Sequence, residues 1–193
     1  VWDVRGDTPV LADTVVIAGI TTTGDVQVSD DDRLLVVATE PVGSLAIYAL
    51  DDPARPRLVR RYASPVLAPG VHTAQVARVN GTLYAFACVN PSAGTPARLA
   101  IVDLSDPANP REVWSGATGR PIVHDVFVRD GILMTANWDE GLVVWDLGGL
   151  GRGGSPAGPV RVGAVRTVAS GGAGASPSVH NVWWLHHGGG RRF

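Results

Sequence analysis

Three Val-His pairs recur along the chain, Val71-His72, Val123-His124 and Val179-His180, and two of them continue alike, as His124-Asp125-Val126-Phe127 and His180-Asn181-Val182-Trp183. Neutral imidazole is the commonest protein ligand for transition metals, and three imidazoles with an open position suffice for a catalytic metal. If the fold gathers His72, His124 and His180 at one place, they form a cluster able to hold a transition metal or an anionic ligand. The alternative is architectural: each histidine caps a strand and bonds the neighbouring repeat, which repetition alone preserves. Coordination needs distances that sequence does not carry, so both readings stand at this point.

Two further groups accompany the histidines. Asp125 and Asn181 directly follow two of them and join the ligand-contacting candidates. Trp138-Asp139-Glu140 offers an aromatic platform with two carboxylates, or else a polar loop whose indole packs between repeats. No catalytic residue can be assigned: there is no phosphate-cradling Gly loop, nucleophile elbow or zinc-type Cys pair. Cys88, the single cysteine, sits in the apolar run Ala85-Phe86-Ala87-Cys88-Val89 and reads as a small buried thiol. Ser29-Asp30-Asp31-Asp32-Arg33 lacks the ligand spacing of a calcium loop and reads as a hairpin turn. Arg5-Gly6-Asp7 and Asn80-Gly81-Thr82 match an adhesion tripeptide and a glycosylation sequon, but Gly turns between strands account for both.

The elements that must position these residues are short. With 24 Gly and 14 Pro in 193 residues, the chain is punctuated too often for long helices. One element recurs four times, as Val1-Trp2-Asp3-Val4, Ile47-Tyr48-Ala49-Leu50, Ile101-Val102-Asp103-Leu104 and Val144-Trp145-Asp146-Leu147, at spacings of roughly 43 to 54 residues. That period suits four-stranded propeller blades. Two copies run into nearly the same turn, Asp52-Pro53-Ala54-Arg55-Pro56 and Asp106-Pro107-Ala108-Asn109-Pro110, after which an outer edge strand must follow. The pattern predicts strands over 25–28, 34–39, 45–50 and 58–62, then 73–79, 82–89, 97–104 and 112–115, then 124–128, 132–137, 142–147 and 160–168. The expected fold is all-β, a β-propeller of four-stranded antiparallel blades, with about four blades' worth of a larger ring. The expected divisions are the last strands of a blade over 1–21, whole blades over 22–66, 67–119 and 120–170, and the start of another over 171–193. The Gly, Ser and Pro-rich stretches 148–159 and 170–178 read as flexible loops, and His186-His187 with Gly188-Gly189-Gly190 as a further hairpin. In such blades the start of each first strand and the loop between strands two and three lie at the same end, so the histidines and Trp138 should share one channel mouth.

Drawn out this way, the chain resembles the LVIVD-repeat propellers of bacteria and archaea. Leu99-Ala100-Ile101-Val102-Asp103-Leu104-Ser105-Asp106-Pro107 carries the likeness best, Leu142-Val143-Val144-Trp145-Asp146-Leu147 is a second copy, and Leu45 to Pro53 is a third with Ala49 in place of the Asp. The resemblance implies a propeller, often in proteins exported to the cell surface, and little about biochemistry. Together with the lack of an assembled catalytic constellation, it leads to the expectation of a non-enzymatic binding or interaction scaffold. His124-Asp125-Val126 and Asn137-Trp138-Asp139-Glu140-Gly141 are also similar to elements of selenium-binding-protein-like propellers, some of which are methanethiol oxidases. That second likeness implies the alternative of a metal-dependent, oxidase-like enzyme, and no catalytic residue is carried over from it.

Charge narrows the partners. Sixteen basic against eighteen acidic residues leave a formal charge of -2, with no block of like sign. There is no electrostatic footprint for nucleic acid and no polybasic anchor. No apolar run is long enough to span a bilayer as a helix. The expected partner is therefore a protein or small ligand at one propeller face.

Overall fold

The computed structural model describes residues 1–91, 95–166, 178–187 and 190–192. Three complete sheets follow one another, each a meander of four antiparallel strands. The first holds β3 (Thr22–Val28), β4 (Leu34–Glu40), β5 (Ser44–Ala49) and β6 (Arg57–Tyr62). The second holds β7 (Val71–Val79), β8 (Thr82–Val89), β9 (Ala97–Asp103) and β10 (Arg111–Gly119). The third holds β11 (Asp125–Arg129), β12 (Ile132–Asn137), β13 (Gly141–Asp146) and β14 (Val160–Val165). Before them β1 (Trp2–Asp3) pairs with β2 (Val10–Leu11), and after them β15 (Leu185–His187) pairs with β16 (Gly190–Arg192). No helix appears among the described residues, and so no helix long and apolar enough to cross a membrane. The first strands β3, β7 and β11 lie side by side, and the sheets stack face to face as propeller blades do. Among the described residues the blades form an open succession and not a closed ring.

Alternation of side chains explains why the middle strands are apolar throughout. Successive residues of a strand point to opposite faces, and here both faces are covered. Ala85 and Ala87 of β8 join the core between the first and second blades, with Val36, Leu45, Ile47 and Val71. Phe86 and Cys88, one step out of phase, join the core between the second and third, with Leu99, Ile101, Leu133 and Trp145. Ile132 and Met134 of β12 and Phe127 of β11 form a further core with Trp184 on the far side of the third blade. Burial pushes the Cys88 thiol up to about 12, so it packs as an inert apolar group, as its sequence context predicts.

The turns follow their chemistry. Asn80-Gly81 and Asp130-Gly131 close two-residue hairpins with positive φ at both positions, the geometry that favours Gly second. Asp30 and Asp31 of the acidic turn hold Arg78 of the second blade at 2.9 and 2.7 Å, so a guanidinium stands where a calcium reading would place an ion. The repeated Asp of the motif is a turn former. Asp3, Asp103 and Asp146 each accept the backbone N–H two residues on, from Arg5 (3.1 Å), Ser105 (2.8 Å) and Gly148 (2.8 Å). Ala49 stands in place of the Asp in the one copy that lacks this bond.

Two departures from the sequence reading have physical causes. The edge strand expected over 112–115 runs on to Gly119 as β10, through two bulges, because β9 continues to offer it a ladder. The stretch after β13, expected to be flexible, is clamped over 148–154. Buried Asp146 accepts N–H bonds from Gly148 and Leu150 on one oxygen (both 2.8 Å) and from Arg152 (2.7 Å) and Gly154 (3.2 Å) on the other. Residues 170–177, also expected as loop, and the last two positions of the strand expected over 160–168 lie outside the described residues.

This clamp makes an acid-sensitive element. The N–H of Leu150 first, with those of Gly148, Arg152 and Gly154 against the opposing effect of burial, lowers the Asp146 carboxyl to about 2. A carboxyl depressed on folding stabilises fully above its unfolded value of about 3.9, and that contribution disappears as pH falls through the folded value. We therefore expect Asp146→Asn to be less stable than wild type at pH 7 and to lose less stability between pH 4 and 2. Urea unfolding across that range checks this, and parallel pH curves for the two proteins would contradict it.

Candidate functional site

Sequence periodicity places the three histidines at the start of successive first strands, and the structure brings all three together. His72 is the second residue of β7, at a bulge where Val71 pairs with Val89 and Thr73 already pairs with Cys88. A bulge leaves one residue unpaired and re-aims its side chain. His124 stands just ahead of β11, its N–H bonded to the Ala136 carbonyl (2.8 Å). His180 follows Val179, whose N–H bonds the Trp138 carbonyl at 3.0 Å. Residues 180–184 do not form the strand expected there. The Val182 N–H bonds Asp125 Oδ2 (3.1 Å) instead of a ladder partner.

The geometry within the cluster is unequal. His72 Nδ1 meets Glu40 Oε1 at 2.7 Å, and His72 Nε2 faces His124 Nε2 at 3.2 Å. Those two rings meet edge to face, 76° apart with centroids 4.7 Å apart. His180 is exposed and stacks on His124, centroids 3.6 Å apart and planes 34° apart. The Trp138 ring closes one side, 5.6 Å from His124 and 5.8 Å from His180. His72 and His124 therefore form a facing pair, and His180 is a stacked third. Among the described residues no group of three or more His, Cys, Asp or Glu side chains is arranged to hold a metal ion.

Partial burial, then the neighbouring His180 and His72, lower the His124 pKa and favour its neutral ring. The His180 backbone opposes this weakly, but His124 Nδ1 is buried with no partner in hydrogen-bond geometry among the described residues. The Glu40 carboxylate accepts the His72 Nδ1 proton, which leaves the His72 Nε2 lone pair directed at His124. This fixes the tautomer through hydrogen-bond logic, with Nε2–H of His124 donating to His72.

The other candidates divide. Asp125 and Asn181 pair with each other (3.4 Å) across adjacent repeats, beside the cluster. Asn181 Oδ1 also meets His180 Nδ1. Glu140 turns away from the imidazoles and accepts the Arg120 N–H at 3.2 Å. The Asp139 carbonyl accepts from Arg166 at 3.2 Å. Of the Trp138-Asp139-Glu140 loop, then, the indole is what joins the rings. Blade-to-blade bonding, which the architectural reading gave to the histidines, is shared between them and the neighbouring positions: His72 reaches Glu40 of the first blade and His124 of the third. Asp25 accepts from the Ala74 N–H (3.3 Å), Thr73 donates to the His124 carbonyl (2.6 Å), and Asp125 accepts from Val182.

Two contributors escaped the sequence reading, Glu40 and Asn90. Each stands at the end of its second strand, as Trp138 does, in Thr39-Glu40, Val89-Asn90 and Asn137-Trp138. Asn90 holds the Val123 backbone by both ends of its amide, at 3.1 and 3.0 Å, and so sets His124. Alignment of these three junctions was the available signal. Thr39 anchors the Glu40 loop through Ser44, its hydroxyl 2.8 Å from Ser44 Oγ. Buried Asn137 anchors the Trp138 loop through the Thr118 carbonyl (2.6 Å).

No family model matches the chain, and no curated protein does. Among solved structures, the chain is similar to a functionally unknown protein from Desulfotomaculum acetoxidans DSM 771, with 11% identity and a TM-score of 0.39, over 84% of this chain and 61% of that one. It is also similar to the Cps50 (Swd1) beta-propeller domain of Myceliophteria thermophila, with 13% identity and a TM-score of 0.39, over 76% of this chain and 59% of that one. The chain thus spans about three fifths of the length of these structures.

Proposed function

We propose that this chain is part of a non-enzymatic propeller scaffold of LVIVD-repeat type, in an exported or surface protein, that binds a partner at the imidazole end of its blades. The observation that carries this reading is the convergence of side chains from successive repeats on one patch. His72, His124, His180 and Trp138 meet there, with His180 exposed to an incoming molecule. Indole and imidazole faces favour planar groups, and the imidazole nitrogens give such a ligand polar anchors. A small aromatic or anionic ligand, or a protein side chain of that kind, suits the surface. Asp125 and Asn181 border it through their mutual bond.

The test is histidine-ring NMR on chelator-treated protein with a panel of small aromatic and carboxylate compounds. At least one class should shift the His124 and His180 ring signals, and Trp138→Ala should weaken that binding at least tenfold. Compounds that bind with these rings undisturbed would place the contact face elsewhere. A second reading, a metal-dependent oxidase-like enzyme, has one observation in its favour, the facing Nε2 atoms of His72 and His124.

A further inference from the structure

We propose that His72 and His124 form a two-nitrogen chelate for a transition metal ion, copper(II) or zinc, with Glu40 as the carboxylate that orients the first ligand. The inference deepens the binding reading above and rests on the same cluster. Two nitrogens bound at about 2.0–2.1 Å stand about 3.3 Å apart on a tetrahedral ion and about 2.9 Å apart at adjacent equatorial positions of tetragonal copper(II). His72 Nε2 and His124 Nε2 stand 3.2 Å apart. In the metal-free protein one proton occupies the space between them. An ion bound there requires the His124 proton to move to Nδ1, while His72 keeps its own on Nδ1 toward Glu40. No proton is gained or lost in that exchange.

Glu40 is the second independent observation. A histidine that ligates a metal almost always donates its other ring N–H to a carboxylate, carbonyl or water, which fixes the tautomer and raises the basicity of the ligating nitrogen. Glu40 stands 2.7 Å from His72 Nδ1 and comes from a different blade, held by the buried Thr39–Ser44 contact. His124 is fixed in turn by the grip of Asn90 on Val123. The pair is thus set by two separate supports.

His180 enters differently. Its ring lies over the face of His124, and stacked imidazoles cannot both direct an in-plane lone pair at one ion. The chelate therefore leaves coordination positions open, and His180 and Trp138 form a wall beside them. An open metal next to π faces would recruit an exogenous ligand, a carboxylate or a small aromatic donor. Divalent affinities at nitrogen sites rise toward copper, so copper(II) should bind more tightly than zinc.

The experiment titrates the chelator-treated chain with Cu2+ and, separately, Zn2+ by calorimetry at neutral pH, with no organic ligand present. One equivalent of copper should bind, more tightly than zinc. His72→Ala and His124→Ala should each reduce the affinity at least 100-fold, and Glu40→Gln by roughly 10–100-fold. Electron paramagnetic resonance of copper-loaded wild type, which needs no variant to fold, should show two equatorial nitrogen ligands. No binding by wild type, a spectrum without two nitrogens, or affinity unchanged in both histidine variants would overturn the proposal. The compound panel above is run without metal, so the metal inference can fail while the ligand face stands, and the reverse.

Discussion

Phe86→Ala should destabilise the protein by about 3–5 kcal/mol. Phe86 is fully buried and lies in the core between the second and third blades, against Leu133, Val143 and Trp145. Truncation removes the transfer free energy of the ring and leaves a cavity that middle strands, paired on both sides, are poorly placed to collapse. A domain of this size is stable by about 5–15 kcal/mol, so the loss is a large share of the total. Leu58→Ala, on the exposed first stretch of β6, should stay within about 0.5 kcal/mol. Urea midpoints with unchanged m-values measure both. A Phe86→Ala effect below about 1 kcal/mol would mean that the two blades do not pack on each other there.

Gly24→Ala should also be costly, and for a reason that bears on the site. Gly24 holds the position that histidine holds in the later repeats, ahead of Asp25 as His124 is ahead of Asp125. A Cβ on Gly24 would stand 2.1 Å from the His72 carbonyl oxygen and 2.6 Å from that of Val71. Both are backbone atoms at the bulge of β7, so the second blade must shift to admit one methyl group. Overpacking of this kind costs about 1–3 kcal/mol. Because His72 is the residue displaced, its contacts with Glu40 and His124 should loosen at the same time. Gly163→Ala, where a Cβ meets nothing within 4 Å, is the matched control and should be near neutral. Thermal unfolding gives the stability change, and the His72 ring signals report the loosening. Wild-type stability with unmoved ring signals would show that the blades are not in this contact.

The crowding at Gly24 also explains why the first repeat has no imidazole at this position. The absence of an imidazole in the first repeat looks like a gap in a pattern. The structure shows that no side chain fits there, because the bulge brings the next blade's backbone too close.

Much of the fold was legible because its causes are local. Asn80-Gly81 and Asp130-Gly131 specify their hairpins through positive φ. Asp52 and Asp106 bond the N–H of Ala54 and Ala108, both at 3.0 Å, and start the same turn in two blades. Unbroken apolar runs such as 85–89 mark strands covered on both faces. The extension of β10 to Gly119 was hidden, since Gly116 and Gly119 have low strand preference and only the partner β9 keeps them in a ladder. The clamp over 148–154 was hidden for a related reason: one carboxylate orders a Gly-rich stretch that composition alone reads as loose.

The sequence by itself determined the strand order, the repeat, and the fact that His72, His124 and His180 share one end of the blades. Period-2 alternation and strand direction fix an end, and they do so residue by residue. Only the tertiary structure decided that His72 and His124 face each other while His180 stacks, that Glu40 joins them, and that Glu140 turns away. Those outcomes depend on a one-residue bulge and on contacts between residues 32 and 52 positions apart in the chain. A bulge shifts a side chain by less than the strand pattern resolves, and inter-blade spacing is written in packed volume, not in residue order.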